Sequence, residues 1–336
     1  MGPRIRPFPP RQITYIRAVL KTLFVITLVH VATGCGGGSA TPGDDAPVID
    51  APSVTPIDAP PVPEGFTRLI GRTWDLQAGQ LDTYRCVRIT IPSDMYITNI
   101  VAQAPAGTHH TVLSIAGANG TAGADGEQDC SVSTLGMVML YASGVGTSPL
   151  DFPSGVGIKV TAGQQIHLNL HLFNATDNPL SGDSAILVKS QPTPPPTLAE
   201  MVFAGAFRIL LPANNQPANV TGGCVASAPY TLFAVWPHMH KIATHQKVEL
   251  TRGGTTTVLH DLAYTFEEQK YYLKTPEVQV QTGDRIDVTC TFVNNTGGLV
   301  TFGDSSNKEM CFSGLYRYPA ANSGLFQCTD TGGAGF

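Results

Sequence analysis

Tyr84-Arg85-Cys86-Val87-Arg88-Ile89-Thr90-Ile91 alternates apolar and polar side chains over eight residues. That is the period of a strand buried on one face. The same alternation recurs at 96–101, 111–115, 157–160, 166–173 and 185–188, with Gly, Asn, Asp and Pro clusters between the runs. No helical period is sustained across this half. Beyond Ser190 the pattern resumes at 203–211, 230–235, 246–250, 256–259, 270–273, 285–292 and 314–318. Closely spaced strands with turn signals predict an all-β chain of two consecutive antiparallel β-sandwiches, jelly-roll-like in character. The composition agrees: 35 Gly, 26 Pro, 42% hydrophobic and only 13% charged residues among 336.

Residues 65–190 and 198–336 are the expected domains, joined by a Pro-rich linker at 191–197, which is stiff by composition. Residues 35–64 are Gly, Ser, Pro, Ala and Asp with few large apolar side chains, and read as an extended tether. Ahead of them, Arg4, Arg6, Arg11, Arg17 and Lys21 precede the apolar run Leu23–Ala32, too short for a permanent span. The run ends in Ala32-Thr33-Gly34-Cys35, which resembles a bacterial lipoprotein cleavage site. Residues 1–34 are then a signal peptide, Cys35 is acylated, and the chain is exported and anchored in the cell envelope. Plain secretion with Cys35 as a spare thiol is the competing reading. Gly36 and Gly37 lack the acidic residue that often retains lipoproteins at the inner membrane, which favours the outer membrane.

Removing residues 1–34, with five positive charges and no acidic ones, takes the formal charge from −5 to −10. An acidic exported protein without a basic patch argues against nucleic acid as a partner. Seven cysteines less Cys35 leave Cys86, Cys130, Cys224, Cys290, Cys311 and Cys328. An even number in an exported chain reads as disulfides, and parity within each half pairs Cys86 with Cys130. Zinc is the competing reading, without a C-x-x-C pair to support it. Asn119, Asn174, Asn219 and Asn294 open N-x-[ST] patterns that carry no weight in a bacterial lipoprotein.

Five histidines and one methionine carry the chemistry. In a strand, His238 and His240 of His238-Met239-His240 point to one face and Met239 to the other, so the pair converges while Met239 packs. A solvated or core pair is the plain alternative. Adjacent His109 and His110 reach one metal only at a strand end or bulge, one through Nδ1 and the other through Nε2; Pro105-Ala106-Gly107-Thr108 offers such an end. His171 is the third candidate, from a neighbouring strand. Met310, in Asn307-Lys308-Glu309-Met310-Cys311-Phe312, is a candidate soft ligand. Imidazole with thioether suits copper better than zinc, calcium or magnesium. His167 reads as buried, and His245 and His260 as surface or turn residues, none of them a primary ligand.

Taken in order, Asp82-Thr-Tyr-Arg-Cys86, Thr108-His-His110, His167-Leu-Asn-Leu-His171 with Asp177-Asn-Pro, Pro237-His-Met-His240, and Cys290-Thr-Phe-Val-Asn-Asn-Thr296 with Phe302-Gly303 and Glu309-Met-Cys-Phe312 resemble the copper type II, ascorbate-dependent monooxygenases. These are the family of the peptidylglycine- and dopamine-hydroxylating enzymes. The resemblance spans about residues 65–330. It implies two coppers per chain: one on His109, His110 and His171, and a catalytic one on His238, His240 and Met310. It implies O2 and ascorbate or another reductant as co-substrates, and a wide solvent-filled cleft between the domains. It also implies the pairs Cys290–Cys311 and Cys224–Cys328.

Two departures bear on the substrate. Trp236 stands where the peptide-amidating branch has an Arg that helps hold the substrate carboxylate, and Phe312 and Gly314 replace polar positions after the Met ligand. A peptide C-terminus is therefore not expected; a small apolar or aromatic molecule is. No acid partner for an aromatic amine can be placed. Two other readings stand beside the enzyme: a non-catalytic copper-handling surface lipoprotein, and a β-sandwich lipoprotein that binds carbohydrate or protein.

Overall fold

In the computed structural model the described residues are 61–116, 122–131, 137–322 and 324–330. The expected signal peptide, Cys35, most of the tether and Asn119 lie outside them. The described residues fall in one compact unit, 55–336. They contain strands and no α-helix, so none has a helix long and apolar enough to cross a membrane.

Two sheets face each other in the first half. One runs in the order Thr67–Leu76, Leu180–Gln191, Met95–Gln103, Val156–Val160, Thr197–Leu198, with Leu150–Asp151 also paired to Met95–Gln103. The other runs Gly126–Asp129, Thr83–Thr90, Gln165–Leu172, Thr108–Ile115, Val138–Ser143. In the second half one sheet runs Tyr272–Val280, Tyr230–His238, Cys311–Tyr318, Glu200–Ala206, Cys328–Thr329. Its partner runs Pro217–Val225, Arg285–Val293, Ala243–Arg252, Thr255–Ala263, and the pair Leu210–Leu211 with Val300–Thr301 closes one end. Nearly all pairings are antiparallel. The expected all-β sandwich architecture is the one observed.

The Pro-rich segment does not hang free. The amides of Thr197 and Ala199 donate to the carbonyls of Gly155 and Gly157 at 3.1 and 2.9 Å, so the connector is pinned as a short parallel strand on the first sandwich.

Tyr230–His238 is buried at eight of its nine positions, which explains its unbroken apolar run Leu232-Phe233-Ala234-Val235-Trp236. Its sheet is covered on both faces. Leu232, Val235 and Leu315 pack into the interior of the second sandwich. Phe203, Ala234, Trp236, Phe312 and Tyr316 join the core of the first. Burying both faces favours a run without polar alternation, and it aims Trp236 and His238 at the first sandwich.

Differences from the sequence expectation have local causes. The run 203–211 is broken into Glu200–Ala206 and Leu210–Leu211, because the Phe207 amide turns to the Asp330 carboxylate at 3.0 Å instead of continuing the ladder. Gly205 sits at φ +145, and a Cβ there would stand 2.0 Å from the Cys311 carbonyl oxygen, so this crossing of strands needs glycine.

Three disulfides close the fold: Cys86–Cys130, Cys224–Cys328 and Cys290–Cys311. Cys224–Cys328 spans 104 residues and Cys290–Cys311 spans 21. Constraint of the unfolded chain scales with loop length, so replacing Cys224 and Cys328 by Ser is expected to cost about 4 to 5 kcal/mol, against about 3 kcal/mol for Cys290 and Cys311. Urea unfolding of the two double variants checks the order. A larger loss from the shorter loop would show that packing strain, not chain entropy, governs these bridges.

Candidate metal centre

His171 lies on the central strand Gln165–Leu172, with Tyr84 as its cross-strand partner on one side and His110 on the other. The register of Thr108–Ile115 slips between Thr108 and His110. A bulge of this kind swings adjacent side chains toward one side, and it brings His109 and His110 together. Gly107, at φ +97 and packed under the Trp74 ring, turns the chain into it. The His109 and His110 ring centroids are 4.1 Å apart, and those of His109 and His171 are 5.0 Å apart. One ring nitrogen from each of the three lies within 4.8 Å of the others.

His171 Nε2 is 3.0 Å from Asp82 Oδ1. The carboxylate accepts from Nε2–H, which leaves the His171 Nδ1 lone pair facing His109 Nδ1 at 3.3 Å. Two nitrogens bound at about 2 Å to one ion stand roughly 3 to 4 Å apart, so a cation fits where the rings now share a proton. Asp82 is a non-glycine residue at φ 45, a sparsely populated conformation held here at a ligand-orienting position. The Tyr84 ring lies on the other side of His171, stacked at 4.6 Å and 6°.

His238 is the last residue of its strand and His240 lies just beyond it. They converge across a strand end rather than within a strand, with ring centroids 5.5 Å apart and planes at 86°. Met239 between them is fully buried in the second core, and its backbone amide and carbonyl both pair with the Tyr264 hydroxyl. His240 Nδ1–H donates to the Lys308 carbonyl at 3.0 Å, freeing Nε2. Glu309 ties this turn to Met310. Its buried carboxylate accepts from the backbone amides of His240 at 2.8 Å, Ile242 at 2.9 Å and Met310 at 3.2 Å.

Burial holds all five imidazoles below their ordinary range: His109 at about 4, with the neighbouring His171 adding to the effect, His240 at about 3, and His110, His171 and His238 downward as well. They are neutral at pH 7, with lone pairs available to a metal. The Glu309 carboxyl is pushed up to about 7 by burial, against the pull of its three amide donors.

His110, His171, His238, His240 and Met310 line a single cavity of about 120 Å³. The expected wide cleft is not what separates the clusters. Gln269 bridges them, its Nε2 2.9 Å from His110 Nε2 and its Oε1 2.9 Å from His238 Nδ1. The reason is segment 264–271, which leans from the second sandwich onto the first. The Val145 amide donates to the Glu267 carbonyl at 3.0 Å, Thr147 Oγ1 donates to the Gln269 carbonyl at 2.8 Å, and the Ala142 amide donates to the Tyr271 hydroxyl at 2.8 Å. At the far end of the cavity, the ring of fully buried Trp236 stacks on His238 at 4.9 Å and 17°.

The remaining histidines stand apart from the clusters. His167 is buried, with Nδ1 3.1 Å from Met137 Sδ. His245 is half-buried and pairs with Asp261 at 3.0 Å. His260, expected at the surface or in a turn, is instead buried in Thr255–Ala263 with the Tyr272 ring against it at 4.5 Å. Asp82 and Glu309 lie within motifs legible in the sequence, but their partners are not legible there, and no sequence signal marks Gln269.

Residues 198–334 match the family described as copper type II ascorbate-dependent monooxygenase, C-terminal domain. That stretch contains His238, His240 and Met310 and is less than half of the chain. That family is described as copper- and ascorbate-dependent, and the match is to its C-terminal domain. No curated protein matches the chain. Among solved structures, the major capsid protein P2 from bacteriophage PM2 shares 8% identity over 74% of this chain and 96% of that one, with a TM-score of 0.33. An allantoicase shares 11% over 68% and 78%, with a TM-score of 0.21. Likenesses this slight carry no argument.

Two outcomes are expected. Asp82→Asn should weaken copper binding at the His109–His110–His171 cluster by about 10- to 100-fold while leaving the unfolding midpoint near wild type, as loss of a ligand-orienting carboxylate does; unchanged affinity in a competition titration would remove Asp82 from that role. The second concerns acid. His109 and His240 take up protons near pH 6.5 in the unfolded chain but only near 4 and 3 in the fold. The unfolded chain thus binds more protons between these values, so stability rises with pH there. Glu309 opposes this in part, since its raised carboxyl stabilises the fold at low pH and that contribution fades as pH climbs through about 7. With several histidines against one carboxyl, metal-free protein should lose thermal stability as pH falls from 6.5 to 4. A flat melting profile over that range would contradict it.

Proposed function

We propose that the chain is a copper-dependent monooxygenase that hydroxylates a C–H bond of a small apolar or aromatic molecule, using O2 and an external one-electron reductant such as ascorbate. The observation that carries this reading is that ligand-type side chains of both clusters line one cavity, in a chain whose residues 198–334 match a copper monooxygenase domain. The donor sets fit copper. Three neutral imidazoles meet at His109, His110 and His171, and two imidazoles and a thioether belong to His238, His240 and Met310.

Copper bound there would supply one-electron chemistry and the activation of oxygen. The protein's part is geometry. Asp82 and the Lys308 carbonyl set which nitrogens of His171 and His240 face the ion. Glu309 fixes the loop of His240 against Met310, and Met310, uncharged and soft, favours the reduced metal. Phe266 and Gln269 of segment 264–271, both buried, stand between the clusters.

The cavity argues against an anionic substrate. Phe203, Trp236, Phe302, Phe312 and Phe326 form its apolar end, and among the described residues no Lys or Arg lines it while Asp304 does, so a carboxylate would find no cationic partner. Its volume is close to that of cavities which accept a single benzene ring, about 150 Å³. The N-terminal pattern supports export and anchoring through Cys35.

Metal content and oxygen uptake on the purified chain loaded with Cu(II) test the function. Two coppers with ascorbate-driven uptake support it. Two coppers without uptake, across a panel of aromatic substrates, favour copper handling; none refutes both. Met310→Ile is expected to abolish turnover with the fold intact, since it removes a ligand and little volume, and full activity would refute the ligand role. His171→Ala should empty only the first cluster; loss of both coppers would indicate general unfolding.

A further inference from the structure

A line of aromatic rings leaves the His238 cluster and ends on the other side of the sheet's edge, away from the cavity. Trp236 stacks on His238 at 4.9 Å and Tyr271 on Trp236 at 6.1 Å. Tyr316 meets Tyr271 edge-on at 5.3 Å. Phe233 stands 6.0 Å from Tyr316 and 6.1 Å from Tyr318. Aromatic contacts at these distances are ordinary core packing, so the rings alone say little. The two ends and the proton partners along the line say more.

Of the two tryptophans, Trp74 donates its Nε1–H to the Ser184 hydroxyl at 2.8 Å. The Trp236 Nε1–H is buried and finds no acceptor among the described residues. An indole that loses an electron and cannot shed this proton stays a radical cation, which remains a strong oxidant. A tyrosine behaves in the opposite way: it gives up an electron readily only when its hydroxyl proton can leave at the same time. Tyr271 and Tyr316 donate to the backbone carbonyls of Ala142 and Leu140, which are poor bases. Tyr318 donates to the Glu277 carboxylate, and both side chains are half-buried, within reach of solvent. Of the three tyrosines in the line, the outermost therefore has the base.

We propose that this line is an escape path for oxidising equivalents, running from His238 through Trp236 to Tyr318, and it rests on the reading that His238 holds copper. Cu(II), which ascorbate reduces, is too weak to take an electron from tyrosine. The path serves a stronger one-electron oxidant, formed when oxygen is activated with no substrate in the cavity. Trp236 gives that oxidant an electron. Tyr318 refills Trp236 with one electron and passes its hydroxyl proton to Glu277, which leaves a neutral tyrosyl and a protonated carboxyl. An external reductant such as ascorbate then returns one electron to Tyr318, and Glu277 returns the proton. Tyr271, Tyr316 and Phe233 are the medium between the two stations.

The test begins without metal. Laser flash photolysis of the full metal-free chain, at a wavelength that ionises tryptophan, should show the tryptophan radical decaying as a tyrosyl signal grows. Tyr318→Phe and Trp236→Phe should each lose that growth, although Trp74 remains in both. Glu277→Gln, a weaker base at a half-buried site, should slow it several-fold and carries the test should the other variants fail to fold. No tyrosyl growth in the wild type, or the same growth in Tyr318→Phe, would overturn the path. The copper-loaded chain is then run with ascorbate and oxygen but no substrate, and peptide mass spectrometry reads oxygen added to Trp236, His238 and Met310. Tyr318→Phe should accumulate this damage several-fold faster than the wild type, with its initial oxygen uptake unchanged. Equal damage would overturn the protective role. A chain that takes up no copper would refute the copper reading and protection with it, while flash photolysis would still decide the electron path.

Discussion

Segment 264–271 must satisfy its buried backbone, and it does so on the other half of the molecule. The Glu267 and Gln269 carbonyls and the Tyr271 hydroxyl take their hydrogen bonds from Val145, Thr147 and Ala142. An unpaired polar group in that interior would cost a few kcal/mol. This pairing therefore fixes the approach of the two sandwiches, and with it everything between them: the cavity, the distance between the histidine clusters, and the position of the Gln269 amide. The Tyr271 and Tyr316 hydroxyls, 3.1 Å apart, extend the same network, and Tyr316 donates to the Leu140 carbonyl at 3.0 Å.

The two clusters are built on different principles. The first sits on a sheet: a central histidine, a cross-strand neighbour, and a bulge that adds a third. Sheet register makes it rigid. The second sits at the end of a strand, where backbone geometry alone would not hold it. Glu309 replaces the missing ladder by gathering three amides from the segments of His240 and Met310. A buried carboxyl with its affinity for protons raised is what that arrangement costs, and the three donors offset part of it.

The aromatic end of the cavity follows from the burial of both faces of Tyr230–His238. Trp236 and His238 share the face turned to the first sandwich, so the residue that stacks on a candidate ligand also walls the cavity. Phe203 and Phe312 meet 5.2 Å apart on the neighbouring strands and complete an aromatic wall without a cationic side chain.

Alternation such as Tyr84–Ile91 was sufficient to establish an all-β sandwich chain, because a period of two has one structural meaning when Gly and Pro punctuate it. It did not show Thr67–Leu76, whose register slips at Arg68, nor Pro217–Val225, whose Gly, Asn and Pro content hides a strand. The ligand-type residues were legible because His and Met in that order are rare and chemically specific. The bulge that gathers His109 and His110 was readable as a requirement, and only the register supplied it. Asp82, Glu309 and Gln269 act on residues 89, 69 and 159 positions away, respectively His171, His240 and His110. No local pattern encodes a contact at that separation. The sequence by itself determined the element type, the half-cystine count and the candidate donor residues; the tertiary structure alone decided which nitrogens face one another, because hydrogen-bond partners are chosen by packing and not by chain order.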